Sequence, residues 1–207
     1  MPAVRLLVAS SNKGKVAEFR QLASRSPGAF QVDSLPGFDQ ITAFDESAET
    51  FAENAAGKAQ YYSRGVSDWV IADDSGLAVP ALGGEPGVRS SRYAGPECDG
   101  RKNIVKLLAA MKGISGEGRS ARFVCVLALA CASRVTAVFS GDVSGAILQS
   151  PRGAGGFGYD PVFYFEPAGK TFAELPPAEK NRVSHRGRAF EKLMAFLNEA
   201  KTTGAAG

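Results

Sequence analysis

Two adjacent carboxylates, Asp73 and Asp74, occupy the position in this 207-residue chain that most clearly indicates chemistry. They follow the apolar run Val70-Ile71-Ala72, which predicts a buried strand ending at the acids, and they precede Ser75-Gly76. Two acids side by side at a buried strand end repel each other with little screening. Folding gains nothing from that repulsion, whereas a divalent cation or a proton to be moved would use it. The alternative is a strand followed by an ordinary Asp-Ser-Gly turn.

A polar loop follows the first apolar run and precedes a helical pattern. Its residues are Ser10, Ser11, Asn12, Lys13, Gly14 and Lys15. Backbone N–H groups at a helix N-terminus and two lysines make an anion site, and we favour phosphate binding over a helix cap with solvated lysines. Asp45, Glu46 and the acid pair supply the hard oxygen ligands that Mg²⁺ takes together with water and phosphate oxygens. Taken singly, Asp45 and Glu46 also fit a solvated acidic loop.

Two further segments carry groups suited to a flat, polar ligand. Phe157 stands between glycines in Gly156-Phe157-Gly158-Tyr159-Asp160-Pro161, where bare backbone would let a ring stack on it. The alternative there is a buried Phe in a tight turn. A dense set of donors follows at Lys180, Asn181, Arg182, Ser184, His185 and Arg186, and a solvated basic helix end is its alternative.

Several familiar motifs are excluded. Residues 153–158 fit G-x-G-x-x-G, but Tyr159-Asp160-Pro161 follows instead of a helix, so a dinucleotide fingerprint is rejected. Gly14-Lys15 lacks the upstream glycine and the Ser/Thr of a P-loop. His185 is the only histidine, which excludes a multi-histidine metal site, and no nucleophile elbow is present.

The elements that must position these groups alternate between strand and helix patterns. We expect strands at 6–9, 30–32, 70–73, 121–129, 135–148 and 161–163, and helices from 16 onward, at 51–63 with Thr50 as N-cap, at 101–111, after Pro176-Pro177 and at 188–200. This mixture predicts an α/β fold with long strands in a mixed sheet.

The amino-acid composition and the net charge favour some classes of function over others. Hydrophobic residues make up 44% and charged residues 22%, which is ordinary for a globular protein. A net charge of +3 suits a small anionic substrate and is too small to indicate nucleic-acid binding. Cys98, Cys125 and Cys131 lack metal-type spacing, and no stretch approaches a membrane span, so we expect a cytoplasmic protein with no nucleic-acid or membrane partner.

Seven blocks, taken together, resemble the inosine/xanthosine triphosphate pyrophosphatases, which remove deaminated purines from the nucleotide pool. The blocks are SNKGK (11–15), TFAENA (50–55), ADDSGLAV (72–79), LGGEPGV (82–88), SRYAG (91–95), GGFGYDPVF (155–163) and KNRVSHRG (180–187). They run in order over nearly the whole chain. The septum-inhibitor nucleotide pyrophosphatases share this fold, but their motifs match less well.

The resemblance implies an elongated, two-lobed α/β fold with a long twisted mixed sheet flanked by helices, a central cleft, and a homodimer. Residues 1–200 would form a single pyrophosphatase domain and residues 201–207 a flexible tail. The activity would be Mg²⁺-dependent cleavage of a purine nucleoside triphosphate (dITP/ITP or XTP) to monophosphate and pyrophosphate.

The resemblance also implies roles for individual residues. Ser10 to Lys15 would hold the triphosphate, and Ser75 would touch substrate. Asp74 would be the general base and a metal ligand with Asp45, where the family usually has Glu and where Glu46 is adjacent. The base and sugar would meet Phe157, Gly158, Tyr159 and Asp160, and the purine edge would meet Lys180, His185 and Arg186.

These roles lead to a mechanism in which water attacks the α-phosphorus, Asp74 orients or deprotonates that water, and Asp73 tunes Asp74 by proximity. Lys180 and Arg186 can donate to a 6-oxo group but cannot accept from a 6-amino group, which disfavours adenine. Two other functions remain open: a nucleotide-binding regulator without turnover, which would not need the acid pair, and a phosphoryl transferase, for which no acceptor motif is present.

Overall fold

The structure is a computed structural model that describes residues 4–26 and 30–202. The strands are β1 (Val4–Val8), β2 (Phe30–Ser34), β3 (Trp69–Ala78), β4 (Ser120–Cys131), β5 (Arg134–Ile147), β6 (Phe163–Phe165) and β7 (Lys170–Thr171). The α-helices are α1 (Lys13–Ala23), α2 (Phe51–Tyr62), α3 (Gly100–Ala110), α4 (Pro177–Val183) and α5 (His185–Thr202), and short 3₁₀ turns occur between them.

The described strands form a seven-stranded mixed sheet in the order β2-β1-β3-β4-β5-β6-β7. Strand β1 is parallel to both of its neighbours, β2 and β3, whereas β6 is antiparallel to β5 and β7. The predicted α/β class with a mixed sheet is confirmed. The chain leaves β1 toward β2 on one side and returns to β3 on the other, which makes a topological switch point at the carboxyl end of β1. Ligands of open α/β sheets bind at such points.

The sequence predicted that strand β3 ends at the acid pair, and this prediction was wrong. Its pairing with β1 covers Trp69, Val70 and Ile71, and the strand then extends past the end of β1 as far as Ala78, with β4 as its neighbour on the other side. Asp73 and Asp74 therefore lie inside an extended strand, just beyond the end of β1. Because successive side chains of a strand point to opposite faces, the two carboxylates point apart rather than at each other.

Contacts divide the chain into two compact units. The first comprises the chain up to Asp74, Cys125–Gly141, and the chain from Arg186 onward. Its core lies between one face of the sheet and helices α1 and α5, whose rings Phe19 and Phe190 are 5.6 Å apart. The strand residues on that face include Leu6, Val8, Ile71, Cys125, Leu127 and Leu129.

The second unit comprises Ser75–Val124 and Asp142–His185. Its core is rich in aromatic rings: Phe123 packs against Phe163 at 4.5 Å and lies parallel to Phe172 at 5.9 Å. Leu107 and Met111 close this core from α3 and the turn after it. Each unit thus has its own buried cluster, and each carries part of the predicted site.

Most predicted elements are present, with shifted ends. The long hairpin is confirmed, and it turns through Ala132 and Ser133, which adopt φ of 47° and 66°, the backbone that a two-residue hairpin turn requires. Two of the boundaries that differ lie in the last third of the chain. Strand β6 begins at Phe163 rather than at 161, and α5 begins at His185 rather than 188.

The predicted tail begins inside a helix, because α5 continues through Thr202. The rest of that tail, residues 203–207, lies outside the described residues. The single-domain assignment of residues 1–200 stays a prediction. Among the described residues, no helix combines the length and apolarity needed to cross a bilayer. Cys98, Cys125 and Cys131 are thiols, and none of them forms a disulfide.

Candidate functional site

The polar loop after β1 begins helix α1, as predicted, three residues earlier than expected. Asn12 is the N-cap: its Oδ1 accepts the N–H of Lys15 at 3.1 Å, and Ser10 Oγ accepts the N–H of Asn12 at 3.2 Å. Lys13 and Gly14 are the first two helical residues. The remaining N–H groups of this first turn are the donors that an anion would use.

Two parts of this loop face different surroundings. Ser10, Ser11 and Lys13 line a pocket of about 510 Å³ together with Ser34, the last residue of β2, and with Leu35 and residues 37–40 that follow it. Lys15 instead extends to β3, where its ammonium lies 2.8 Å from Asp73 Oδ2. In the predicted triphosphate loop, Ser10, Ser11 and Lys13 therefore face the pocket, whereas Lys15 binds the acid pair through Asp73.

Asp73 is the centre of a buried ion network on the α1/α5 face of the first unit. Besides Lys15, the guanidinium of Arg186 lies 3.6 Å from Asp73 Oδ2 through Nη2 and binds Glu18 through Nη1. Arg186 is 2% exposed, and its guanidinium lies 5.9 Å from the ring of Phe19. The resemblance had assigned Arg186 to a purine edge, and the structure places its guanidinium beside these two carboxylates.

The side chains of Asp73 and Arg186 stabilise each other in their charged forms. Burial alone would raise the pKa of Asp73, but Lys15 and Arg186 outweigh it and hold the pKa of Asp73 well below its usual range. Burial likewise opposes the charge of Arg186, and Glu18 and Asp73 more than offset it, so the pKa of Arg186 is raised. Asp73 is thus a permanently charged structural anion at physiological pH.

Asp74 faces helix α2, on the opposite side of β3. Asn54 Nδ2 donates to Asp74 Oδ2 at 3.0 Å, and the ammonium of Lys58 lies 3.7 Å from Oδ1. Lys58 also lies 3.1 Å from Glu46 Oε2. Since Asn54 and Lys58 are four residues apart, they occupy one face of α2 and hold one carboxylate between them.

The environment of Asp74 shifts its titration opposite to that of Asp73. Burial raises the pKa of Asp74, and the opposing effects of Lys58 and Asn54 do not cancel it. Burial would lower the pKa of Lys58, but Asp73, Asp74 and Glu46 raise it, so Lys58 stays an ammonium. A carboxylate with a raised pKa beside a fixed cation is suited to accept a proton.

Of the two adjacent acids in the loop before α2, Glu46 is the one that the structure brings to Asp74, through Lys58. Asp45 is exposed, so the predicted pairing of Asp45 with Asp74 stays a prediction, and Glu46 is the better placed candidate. No cluster of three or more His, Cys, Asp or Glu suited to a metal ion occurs within residues 4–26 and 30–202. A cation here would meet at most a pair of carboxylates, which fits Mg²⁺ because that ion keeps water and phosphate oxygens as further ligands.

The second unit holds the predicted base-binding residues. Asp160 Oδ2 accepts the backbone N–H of Phe157 at 2.9 Å and the ammonium of Lys180 at 2.6 Å. That ammonium lies 4.8 Å from the centre of the Phe157 ring, which is half-buried. The structure therefore brings Phe157, Asp160 and Lys180 together, and it uses Asp160 to fix the loop and the lysine.

The other predicted residues of this unit differ in accessibility. Gly158 is exposed with φ of 59°, and Ser75 is partly exposed within β3. Tyr159 is buried, and its hydroxyl donates to the carbonyl of Ser90 at 2.9 Å, so it supports the loop structurally. His185 is buried and stacks on Phe123, with ring centres 4.7 Å apart and planes 9° from parallel.

Sequence reasoning missed Glu18, Asn54 and Lys58 as members of the site. Asn54 stands in the TFAENA block, and the four-residue spacing from Asn54 to Lys58 on a capped helix was a usable signal. Glu18 lies on α1, three residues after Lys15. Its partner Arg186 is 168 residues away, so no local pattern links them.

Comparisons with known proteins agree with this architecture. Residues 6–196 match the Ham1 family model. A dITP/XTP pyrophosphatase of Geobacillus kaustophilus is 50% identical over 188 residues, which is 91% of each chain, and that of Bacillus subtilis is 44% identical over 92% of this chain and 96% of its own.

Solved structures give the same result. The Staphylococcus aureus Ham1 protein has a TM-score of 0.81 at 38% identity, covering 94% of this chain and 98% of that one. A HAM1 protein from Coxiella burnetii has a TM-score of 0.82 at 38% identity, covering 95% of this chain and all of its own. The resemblance seen in the sequence motifs is confirmed, and this chain belongs to the Ham1 family.

Proposed function

We propose that this chain hydrolyses non-canonical purine nucleoside triphosphates (dITP, ITP and XTP) to the monophosphate and pyrophosphate. The observation that carries the proposal is Asp74, a buried carboxylate of raised pKa at the sheet's switch point, in a chain whose relatives are dITP/XTP pyrophosphatases. Family membership supports a hydrolase that acts on the phosphoric anhydride bond.

The residues of the first unit would handle the triphosphate. The N–H groups at the start of α1 donate to phosphate oxygens, and Lys13 and Lys15 supply positive charge. Asp74 accepts a proton from the attacking water, while Lys58 and Asn54 keep its carboxylate in place. Water adds to the α-phosphorus, its oxygen stays on the monophosphate, and the bond to the leaving pyrophosphate breaks.

Mg²⁺ is part of the proposal. Asp74 and Glu46 would hold it, because both supply hard carboxylate oxygens and both already lie beside one shared cation, the ammonium of Lys58. When bound, the ion supplies neutralising charge for the phosphate oxygens.

The residues of the second unit would select the base. The half-buried ring of Phe157 offers a stacking surface, and the ammonium of Lys180 offers a donor that suits a 6-oxo group. A 6-amino group would face that donor with donors of its own, at a cost of about 1–3 kcal/mol for each unpaired group. Adenosine triphosphate is therefore expected to be the poorest purine substrate.

The test is release of pyrophosphate from ITP, XTP, dITP, GTP and ATP, each with and without Mg²⁺. In ¹⁸O-labelled water, we expect the label in the monophosphate, because attack occurs at the α-phosphorus. Label in the pyrophosphate would contradict that direction of attack, and equal turnover of ATP and ITP would contradict base selection by donors. Binding of ITP without any cleavage would favour the regulator instead.

We also propose that the chain is a cytoplasmic homodimer, as the family resemblance implies. Sedimentation of the purified protein measures the oligomeric state, and a single species with the mass of one chain, 21.7 kDa, would contradict it.

A further inference from the structure

Asn54 is a buried amide whose hydrogen-bonding groups are all aimed at two neighbours. The side chain is 1% exposed. One proton of Nδ2 donates to Asp74 Oδ2 at 3.0 Å, and the other donates to the carbonyl of Ala48 at 3.3 Å. Oδ1 accepts the N–H of Ala48 at 3.2 Å. The amide thus pairs with both backbone groups of one residue while it holds a carboxylate.

These partners determine which way the amide points. If Nδ2 and Oδ1 exchanged places, an oxygen would face the Asp74 carboxylate and an NH₂ group would face the N–H of Ala48. Both contacts would be repulsive. The donor to Asp74 is therefore fixed by the backbone of Ala48, and Asp74 is oriented by a group that cannot rotate away.

The same amide ties together the segments that carry the reaction's charged groups. Asn54 lies one turn inside α2, whose N-cap Thr50 accepts the N–H of Glu53 at 3.2 Å. Ala48 is two residues after Glu46, so the Asn54–Ala48 pair fixes the segment from which Glu46 reaches Lys58.

We propose that Asn54 is a positioning residue for hydrolysis: its amide clamps the loop of Ala48 to Asp74 and thereby fixes the orientation of the Asp74 carboxylate. Asn54 binds Oδ2, and Oδ1 remains on the side of Lys58. The inference rests on the proposed role of Asp74 as the base.

Asn54→Asp keeps the acceptor for Ala48 and replaces the donor to Asp74 by a carboxylate that repels it. An aspartate keeps an acceptor for the N–H of Ala48 but donates to neither the Ala48 carbonyl nor Asp74. Because a displacement of about 1 Å at a reacting group can cost about 10²-fold in rate, we expect kcat for ITP to fall by about that factor. We expect KM to stay close to that of the wild type, since the phosphate and base contacts are untouched.

The second unit offers a matched control. Asn103 is 3% exposed, its Oδ1 accepts the N–H of Ala94 at 2.7 Å, and its Nδ2 donates to the carbonyls of Ser90 and Ser91. It is also a buried amide that clamps a loop, but its partners are backbone groups only. Asn103→Asp should lower the melting temperature as Asn54→Asp does, and it should leave kcat of the folded enzyme close to that of the wild type.

Hydrogen exchange of the Ala48 amide supplies a readout independent of turnover. Protection of that amide should persist in Asn54→Asp and be lost in Asn54→Leu, which has no acceptor. Persistent protection together with a fall in kcat at constant KM supports the positioning role.

Two outcomes would overturn the inference. One is a kcat for Asn54→Asp equal to that of the wild type, and the other is loss of Ala48 protection in that variant, which would make its effect one of loop folding. Neither outcome tests the proposed function. That proposal is contradicted if the wild-type protein releases no pyrophosphate from any of the triphosphates.

Discussion

Replacing Arg186 by Met tests whether the buried ion network holds the first unit together. The guanidinium is buried between two carboxylates, since the side chain of Glu18 is 13% exposed and that of Asp73 is 1% exposed. Methionine fills a similar volume and removes the charge. Glu18 and Asp73 would then lose their shared cation, while Lys15 would stay beside Asp73.

The expected loss is large because the partners stay buried. Removing one member of a buried ion pair typically costs about 3–5 kcal/mol, since the charge left behind is neither solvated nor paired. For a chain of this size, about 1 kcal/mol corresponds to about 2–4 °C in melting temperature, so the shift should be at least about 6 °C.

Arg5→Met is the matched control. Arg5 also meets two carboxylates of the first unit, Asp33 at 3.5 Å and Asp68 at 3.4 Å, but its side chain is 44% exposed. Exposed pairs of this kind contribute about 0–1 kcal/mol each, because water screens them. Unfolding in urea, followed by circular dichroism, gives the free energy of unfolding of both variants on one scale.

A loss for Arg186→Met no larger than that for Arg5→Met would refute the argument. A second variant sharpens it: adding Glu18→Gln to Arg186→Met removes one of the stranded charges and should recover part of the loss. If Arg186 instead reads the purine edge, its replacement would leave stability intact and change the ratio of ITP to GTP turnover.

Three further predictions follow from the same geometry. Asp74→Asn should lower kcat for ITP by about 10²–10⁴-fold with little change in KM, because an amide cannot take up the proton of the attacking water. An unchanged kcat, measured as pyrophosphate release with Mg²⁺ present, would end its assignment as the base. Asp73→Asn should be less stable than the wild type at neutral pH, and the difference should shrink as pH falls below 3.8. The lowered pKa of Asp73 stabilises the fold only where the carboxyl of the unfolded chain is ionised. Urea unfolding at pH 7 and pH 3 measures the difference in free energy, and an equal difference at the two pH values would contradict the prediction. Gly145→Ala should destabilise the protein by about 1–3 kcal/mol, because a Cβ there would collide with the carbonyl oxygen of Tyr164 on the neighbouring strand. Thermal unfolding measures the loss, and a variant as stable as the wild type would show that β5 and β6 can move apart without cost.

Local sequence patterns predicted the elements of this fold well, because each depends on neighbours in the chain. Thr50 and Glu53 marked the start of α2, and the structure shows Thr50 capping it. The pattern of apolar residues predicted the long hairpin of β4 and β5. The end of β3 was misjudged because Asp, Ser and Gly are typical turn residues, whereas pairing along the sheet carries the strand through them.

The partners of the charged residues could not be predicted in the same way. Arg186 and Glu18 are 168 residues apart, and Lys180 and Asp160 are 20 apart. The sequence showed a cluster of donors near residue 185, but which of them is buried against a carboxylate depends on how the helices lie on the sheet. Tyr159 is similar: the resemblance implies a contact with the base or sugar, and no local pattern shows that its hydroxyl donates to the carbonyl of Ser90, 69 residues earlier.

The acid pair shows how one local motif acquires two functions from its surroundings. Alternation along β3 sends Asp73 to the face of α1 and α5, where Lys15 and Arg186 lower its pKa, and sends Asp74 to the face of α2, where burial raises its pKa. Two carboxylates whose pKa values are driven apart are available for different roles at one pH. Asp73 can serve as a fixed charge that holds Lys15, and Asp74 can serve as the group that gains and loses a proton. The repulsion that the sequence suggested between adjacent acids is therefore reduced by geometry, because the two carboxylates point to opposite faces of β3 and each meets its own cation.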